Sequence, residues 1–128
     1  MPNPGKILIV DDELHVRKFV SLIVRDLGAP VIVEASDGKE ALAKYAAEAP
    51  DLVLLDVNMP VLDGMHTLIE LRKQDPKAVV IMLTSLANRQ TIEKCLNAGA
   101  AGYIRKDTPR DKILTELTAL VREHLGEN

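Results

Sequence analysis

Tryptophan is absent, and Phe19, Tyr45 and Tyr103 are the only aromatic residues, 2% of the chain. Three dispersed rings cannot build the stacking platform that single-stranded nucleic acid binding uses. Cys95 is the single cysteine, so no disulfide forms within the chain and no thiolate cage holds a metal; such usage fits a reducing compartment, and the cytoplasm is the expected location. Long apolar runs are missing as well. The longest, residues 78–83, falls far short of the roughly 20 residues a membrane span needs, and the N-terminus lacks the basic-then-apolar layout of a signal peptide. Nor is there a basic cluster. The 16 Lys and Arg residues are scattered among 19 Asp and Glu, for a net charge of -3, which leaves no electrostatic footprint for DNA or RNA.

What remains is 128 residues, 47% hydrophobic and 27% charged, the size and balance of one soluble domain covering residues 1–128. Short apolar runs at 7–10, 31–33, 52–55, 79–83 and, more weakly, 102–104 read as buried strands. Between the first two, Val16, Phe19, Val20, Ile23, Val24 and Leu27 recur at spacings of three and four and stop at Gly28, the mark of an amphipathic helix with a glycine end. Weaker helical patterns follow: Ala41, Leu42, Tyr45 and Ala46 before Pro50; Met65, Leu68 and Ile69 before Pro76; Ile92, Cys95 and Leu96 before Gly99. The last helix is expected to start with Thr108 as N-cap, Pro109 at its first position and Asp111 reaching back. Strands alternating with helices require crossover connections, so the fold class is a doubly wound α/β parallel sheet with helices on both faces.

Ligands of such sheets bind beyond the carboxyl ends of the strands. The residues there are Asp11 and Asp12 after the first strand, Asp56 after the third, Thr84 after the fourth and Lys106 near the fifth. Three converging carboxylates repel one another unless a cation sits among them. Oxygen-only ligands select a hard ion, and few protein ligands with open positions suit Mg²⁺. Together with the Lys106 ammonium, the ion would bring the site near neutrality, ready for a phosphoryl group whose oxygens accept from Lys106 and Thr84.

These residues carry a resemblance. The acidic pair in KILIVDDE, the aspartate in DLVLLDVNMPVLDG, the hydroxyl in VVIMLTS and the aromatic and lysine in AGYIRK stand in order at strand-length intervals over nearly the whole chain. The chain resembles the receiver domain of two-component response regulators, nearest in size to the single-domain chemotaxis type. The resemblance implies a flavodoxin-like five-stranded sheet in the order 2-1-3-4-5. It implies that Asp56 is phosphorylated by a histidine kinase or a phosphotransfer domain, with Thr84 and Lys106 assisting. It further implies that Mg²⁺ is held by Asp12, Asp56 and the backbone carbonyl of Asn58, with Asp11 acting through water, and that Asn58 and Leu86 tune the lifetime of the phosphorylated state. Thr84 and Tyr103 would form a switch that reshapes the surface met by a downstream protein target or output domain; no nucleic acid or membrane contact is implied. Two departures stand out. Asp107, not proline, follows Lys106, so a trans bond is expected there, and Ser85 is larger than the very small residue usual after the hydroxyl position.

Each residue alone has a plainer reading. Asp11 or Asp12 could be a helix N-cap, and Asp56 could open a turn before Pro60. Lys106 could be a solvated lysine and Thr84 a strand-end hydroxyl. Asp63 and Gly64 read as a turn and helix start. His15, His66 and His124 lack ligand spacing and read as helix surface residues. Cys95 reads as core, and Tyr103 as a strand residue with its hydroxyl in water. Three competing functions are open at this level. A Mg²⁺-dependent aspartyl-phosphate phosphatase would need an acid where Asn58 stands. A receiver that no longer takes phosphate conflicts with the complete acidic set. A receiver portion of a longer DNA-binding regulator fits the helical run into Gly126, Glu127 and Asn128, which reads equally as an end or a linker.

Overall fold

The computed structural model describes residues 4–28, 30–57, 59, 63–85 and 88–126. Along them strand and helix alternate five times: β1 Lys6–Val10, α1 Leu14–Val24, β2 Val31–Ala35, α2 Gly38–Glu48, β3 Leu52–Leu55, α3 Gly64–Gln74, β4 Val80–Thr84, α4 Arg89–Asn97, β5 Gly102–Arg105 and α5 Arg110–Leu125. The strands pair in parallel in the order β2-β1-β3-β4-β5. This is the expected doubly wound sheet.

The period of two along each strand divides the core in two. Ile7 and Ile9 join Leu54, Ile81 and Ile104 beneath α1 and α5. Leu8 and Val10 join Val53, Leu55 and Met82 beneath α2, α3 and α4. Both faces are covered, which is why the central strands are apolar throughout. Burying a Leu or Ile side chain contributes about 1.5–3 kcal/mol, so these two layers hold the strand ends where the functional residues lie. Cys95 is fully buried in the second layer, as its place on the apolar helix face implied.

Several boundaries move from their sequence expectation. Beyond α1 the chain tightens into a 3-10 turn over Arg25–Leu27 before Gly28 ends it at φ 97, a left-handed conformation that glycine adopts without strain. β2 runs on through Glu34 and Ala35, and β4 takes in Thr84. The expected start of α5 is corrected: the helix begins at Arg110, Pro109 occupies the cap position with ψ 143, and Thr108 does not cap it. The proline ring restricts φ but leaves ψ extended, so the Pro109 carbonyl receives the first helical bonds, from Lys112 and Ile113. Among the described residues no helix is long and apolar enough to cross a membrane.

Candidate functional site

Three functional positions are set by the last rungs of the ladders. The Asp11 amide donates to the Ala35 carbonyl at 3.1 Å, the Asp56 amide to Val10 at 3.1 Å, and the Lys106 amide to Thr84 at 3.0 Å. Each chain segment leaves the sheet just after it has been pinned, so Asp11, Asp56 and Lys106 meet at one rim. Thr84, wholly buried, ends β4 beside Arg105 in the register with β5. Of the five strand-end residues singled out in the sequence, all lie at the carboxyl edge. Asn58 and Leu86 lie outside the described residues.

The centre of the rim is an ion-pair cluster. The Lys106 ammonium donates to Asp56 Oδ2 at 3.1 Å and also pairs with the Asp11 carboxylate. Both carboxylates are buried, whereas Asp12 is exposed. One oxygen from each of Asp11, Asp12 and Asp56 lies within 4.8 Å of the others. At an effective dielectric constant of about 20, two unit charges at that distance repel by about 3.5 kcal/mol. With three acids ionised, a single ammonium leaves about two negative charges uncompensated, so the oxygen set has the charge and donor chemistry of a hard divalent cation site. Burial pulls the Lys106 ammonium down, but its bond to Asp11 and the Asp56 charge outweigh that and hold its pKa above the ordinary lysine value.

The plainer readings sort by what each side chain touches. Asp12 is no helix cap: Glu13 holds the cap position of α1, and it is Asp11 Oδ1 that accepts the Glu13 amide, at 3.0 Å. Asp63 caps α3 through the His66 amide at 2.9 Å, as read from sequence. His15 and His124 are exposed, and His66 rests on Asp63 through its ring nitrogen. Ser85 is exposed. No peptide bond among the described residues is cis, so the bond between Lys106 and Asp107 is trans as expected.

Tyr103 requires a correction. Its hydroxyl is not in water: the oxygen is buried and has no hydrogen-bond partner among the described residues. Burial first, then the neighbouring Cys95 and Asp56, push its pKa up to about 12. Strand alternation could not disclose this, because it gives the face a ring takes and not the depth of its hydroxyl. An unpaired buried hydroxyl costs about 1–3 kcal/mol, so Tyr103→Phe is expected to raise stability by about 1 kcal/mol. A rise in the urea midpoint would bear this out; an equal fall would mean that the hydroxyl is paired in solution.

One residue read as merely structural has a closer tie to the site. The Gly64 amide donates to the Val57 carbonyl at 2.8 Å, and a Cβ at Gly64 would stand 2.0 Å from the Asp56 carbonyl oxygen. The start of α3 therefore lies against the backbone of the segment that carries Asp56. A glycine straight after an N-cap aspartate was the available signal.

Comparison with known proteins agrees with this geometry. Residues 7–118 match the family model described as the response regulator receiver domain. The chemotaxis protein CheY of Listeria monocytogenes is 37% identical over 112 residues, 88% of this chain and 94% of that protein. Among solved structures, the CheX-CheY-BeF3-Mg complex from Borrelia burgdorferi matches with a TM-score of 0.87 at 35% identity over 92% of this chain and 90% of that one. NtrX from Brucella abortus matches with a TM-score of 0.86 at 31% identity, covering 95% of this chain but 28% of the longer one. The matches favour a receiver domain over the phosphatase reading left open by the sequence. With a family match across most of its length and its strand-end acids gathered at one rim, the chain belongs to the receiver domains of response regulators, the phosphoacceptor signalling domains of two-component systems.

Proposed function

We propose that Asp56 is the phosphoacceptor, taking its phosphoryl group from a histidine kinase or a phosphotransfer domain in the cytoplasm. The observation that supports this most is the Lys106 ammonium on Asp56 Oδ2, because it places a donor where phosphoryl oxygens would arrive. In the transfer, an Asp56 carboxylate oxygen forms a bond to phosphorus while the bond from phosphorus to the histidine nitrogen breaks and that nitrogen keeps the electron pair. Lys106 and the Thr84 hydroxyl would donate to the phosphoryl oxygens. Asp11, Asp12 and Asp56 fit Mg²⁺ by charge and by their oxygen-only donor set. Asn58 is proposed to add its carbonyl, by family resemblance alone. When bound, the ion would offset the carboxylate charge and stabilise charge on the transferring group. The chain is proposed to catalyse only its own phosphorylation and dephosphorylation.

Output is proposed to run through Thr84 and Tyr103 to the surface of α4, β5 and α5, where a downstream target or output domain would dock. The Tyr103 hydroxyl is already buried in this structure, so the switch would not need the ring to turn in from solvent. Phosphorylation would instead change how firmly the buried ring is held, and hence the partner affinities of the two states.

The cation half of this reading is tested by Asp12→Ala. Asp12 is exposed and does not occupy the helix cap, and its charge adds to the repulsion at the rim. The substitution is expected to leave metal-free stability unchanged or slightly raised while abolishing Mg²⁺-dependent phosphorylation by a small phosphodonor. Full phosphorylation of the variant would reject Asp12 as a ligand.

A further inference from the structure

The loop that carries Asp11 and Asp12 leaves the sheet after the bond from the Asp11 amide to Ala35, and something else must hold its next carbonyl. That group is Arg17. From the first turn of α1, its guanidinium donates through one terminal nitrogen to the Asp11 carbonyl at 2.7 Å and through Nε to Glu34 Oε1 at 2.9 Å. Only 14% of the Arg17 side chain is exposed. Glu34 is itself restrained: Lys18 reaches its other oxygen at 3.3 Å, and Lys44 from α2 donates to its backbone carbonyl. Opposite Ile9 in the register, Glu34 belongs to the face that α1 covers. Burial raises the Glu34 carboxyl, but its bonds to Arg17 and Lys18 outweigh that and hold it below its ordinary value.

We infer that Arg17, braced by Glu34 on the edge strand, is a positioning residue that fixes the Asp11–Asp12 segment for cation binding. The inference rests on the Mg²⁺ reading above and goes beyond it, because neither residue belongs to the acidic cluster. A guanidinium suits this role, since its rigid fork bonds a carbonyl and a carboxylate at once, which a single ammonium on a flexible stem cannot reproduce in the same geometry. With the carbonyl released, Asp11 and Asp12 would have to be ordered at the moment of binding, and affinity would fall by the cost of that ordering.

The test measures Mg²⁺ affinity by NMR titration of the folded protein with Mg²⁺ alone, alongside amide hydrogen exchange. The variants are Arg17→Ala, Arg17→Lys and Glu34→Gln, with Lys6→Met as a control that breaks an ion pair with Glu48 (3.1 Å) at the other end of β1. Loss of a supporting partner around a metal site typically weakens affinity about 10-fold or more. Arg17→Ala is expected to lose about that much, with Glu34→Gln and Arg17→Lys between it and wild type. Exchange at the Glu13 amide, bonded to Asp11 Oδ1, should quicken out of proportion to that at Ile9. Lys6→Met should change neither readout. If Arg17→Ala does not fold, the other two variants carry the same comparison. Unchanged Mg²⁺ affinity with uniform loss of amide protection would reduce Arg17 to a contributor to global stability and overturn the inference. Failure of the wild-type protein to bind Mg²⁺ would overturn the underlying reading and this inference with it, a result distinguishable from the first.

Discussion

Removing the ammonium at the centre of the rim is expected to destabilise the metal-free protein by about 2–3 kcal/mol. Lys106→Met keeps most of the volume of the side chain but leaves the buried Asp11 and Asp56 carboxylates facing each other without a cation. Breaking a fully buried pair costs about 3–5 kcal/mol, and the lower figure reflects that Lys106 remains 17% exposed. The variant should also gain more stability from Mg²⁺ than the wild type, since binding to the native state alone stabilises it and the competing ammonium has gone. The pH dependence has a definite sign. Because the folded pKa of Lys106 is raised, its contribution is fully present below its ordinary value of 10.5 and is lost as pH rises through the folded value. The alkaline loss of stability should therefore be smaller in Lys106→Met than in wild type. Urea midpoints with and without Mg²⁺ across pH measure all three effects, and equal midpoints for the two proteins would mean that the ion pairs contribute nothing net.

Gly64→Ala is expected to cost a comparable amount. On helix propensity alone the change should help, by about 1 kcal/mol. Against this, the new Cβ would stand 2.0 Å from the Asp56 carbonyl oxygen and 2.6 Å from Val57 Cα, and backbone atoms cannot turn aside as a side chain does. Overpacking costs about 1–3 kcal/mol and occasionally more, so the net expectation is a loss of about 2 kcal/mol or a displaced α3. Either result shifts the backbone of Asp56, and phosphorylation should fall sharply even at temperatures where the variant is folded. Wild-type stability together with wild-type phosphorylation would show that the β3–α3 junction relaxes freely.

The sheet and its functional rim were legible because the controlling signals are local. Four apolar runs and a weaker fifth marked the strands, and a charged or hydroxyl residue at or just beyond the end of each functional strand marked the rim. Strand order came from the resemblance, since periodicity does not rank neighbours. What escaped the sequence is made by contacts between distant segments. Glu34 ended the apolar run of the second strand on paper, yet the strand continues through it because Arg17 and Lys18 neutralise its charge. Arg17 in turn stands between the apolar positions of α1, and helical spacing does not say what its guanidinium bonds. Gly64 looked like a turn residue until its distance to the Asp56 carbonyl was visible. Tyr103 looked wet because alternation says which side a ring takes, not how deep its hydroxyl reaches.

Asp56 alone is proposed to accept phosphate, at a rim built from Asp11, Asp12, Thr84 and Lys106. Intact mass spectrometry after incubation with a small phosphodonor, with and without Mg²⁺, tests it most directly on wild type and Asp56→Asn. A single phosphoryl adduct that requires Mg²⁺ is expected on the wild-type chain and none on the variant; an adduct of normal yield on Asp56→Asn would rule out Asp56 as the acceptor.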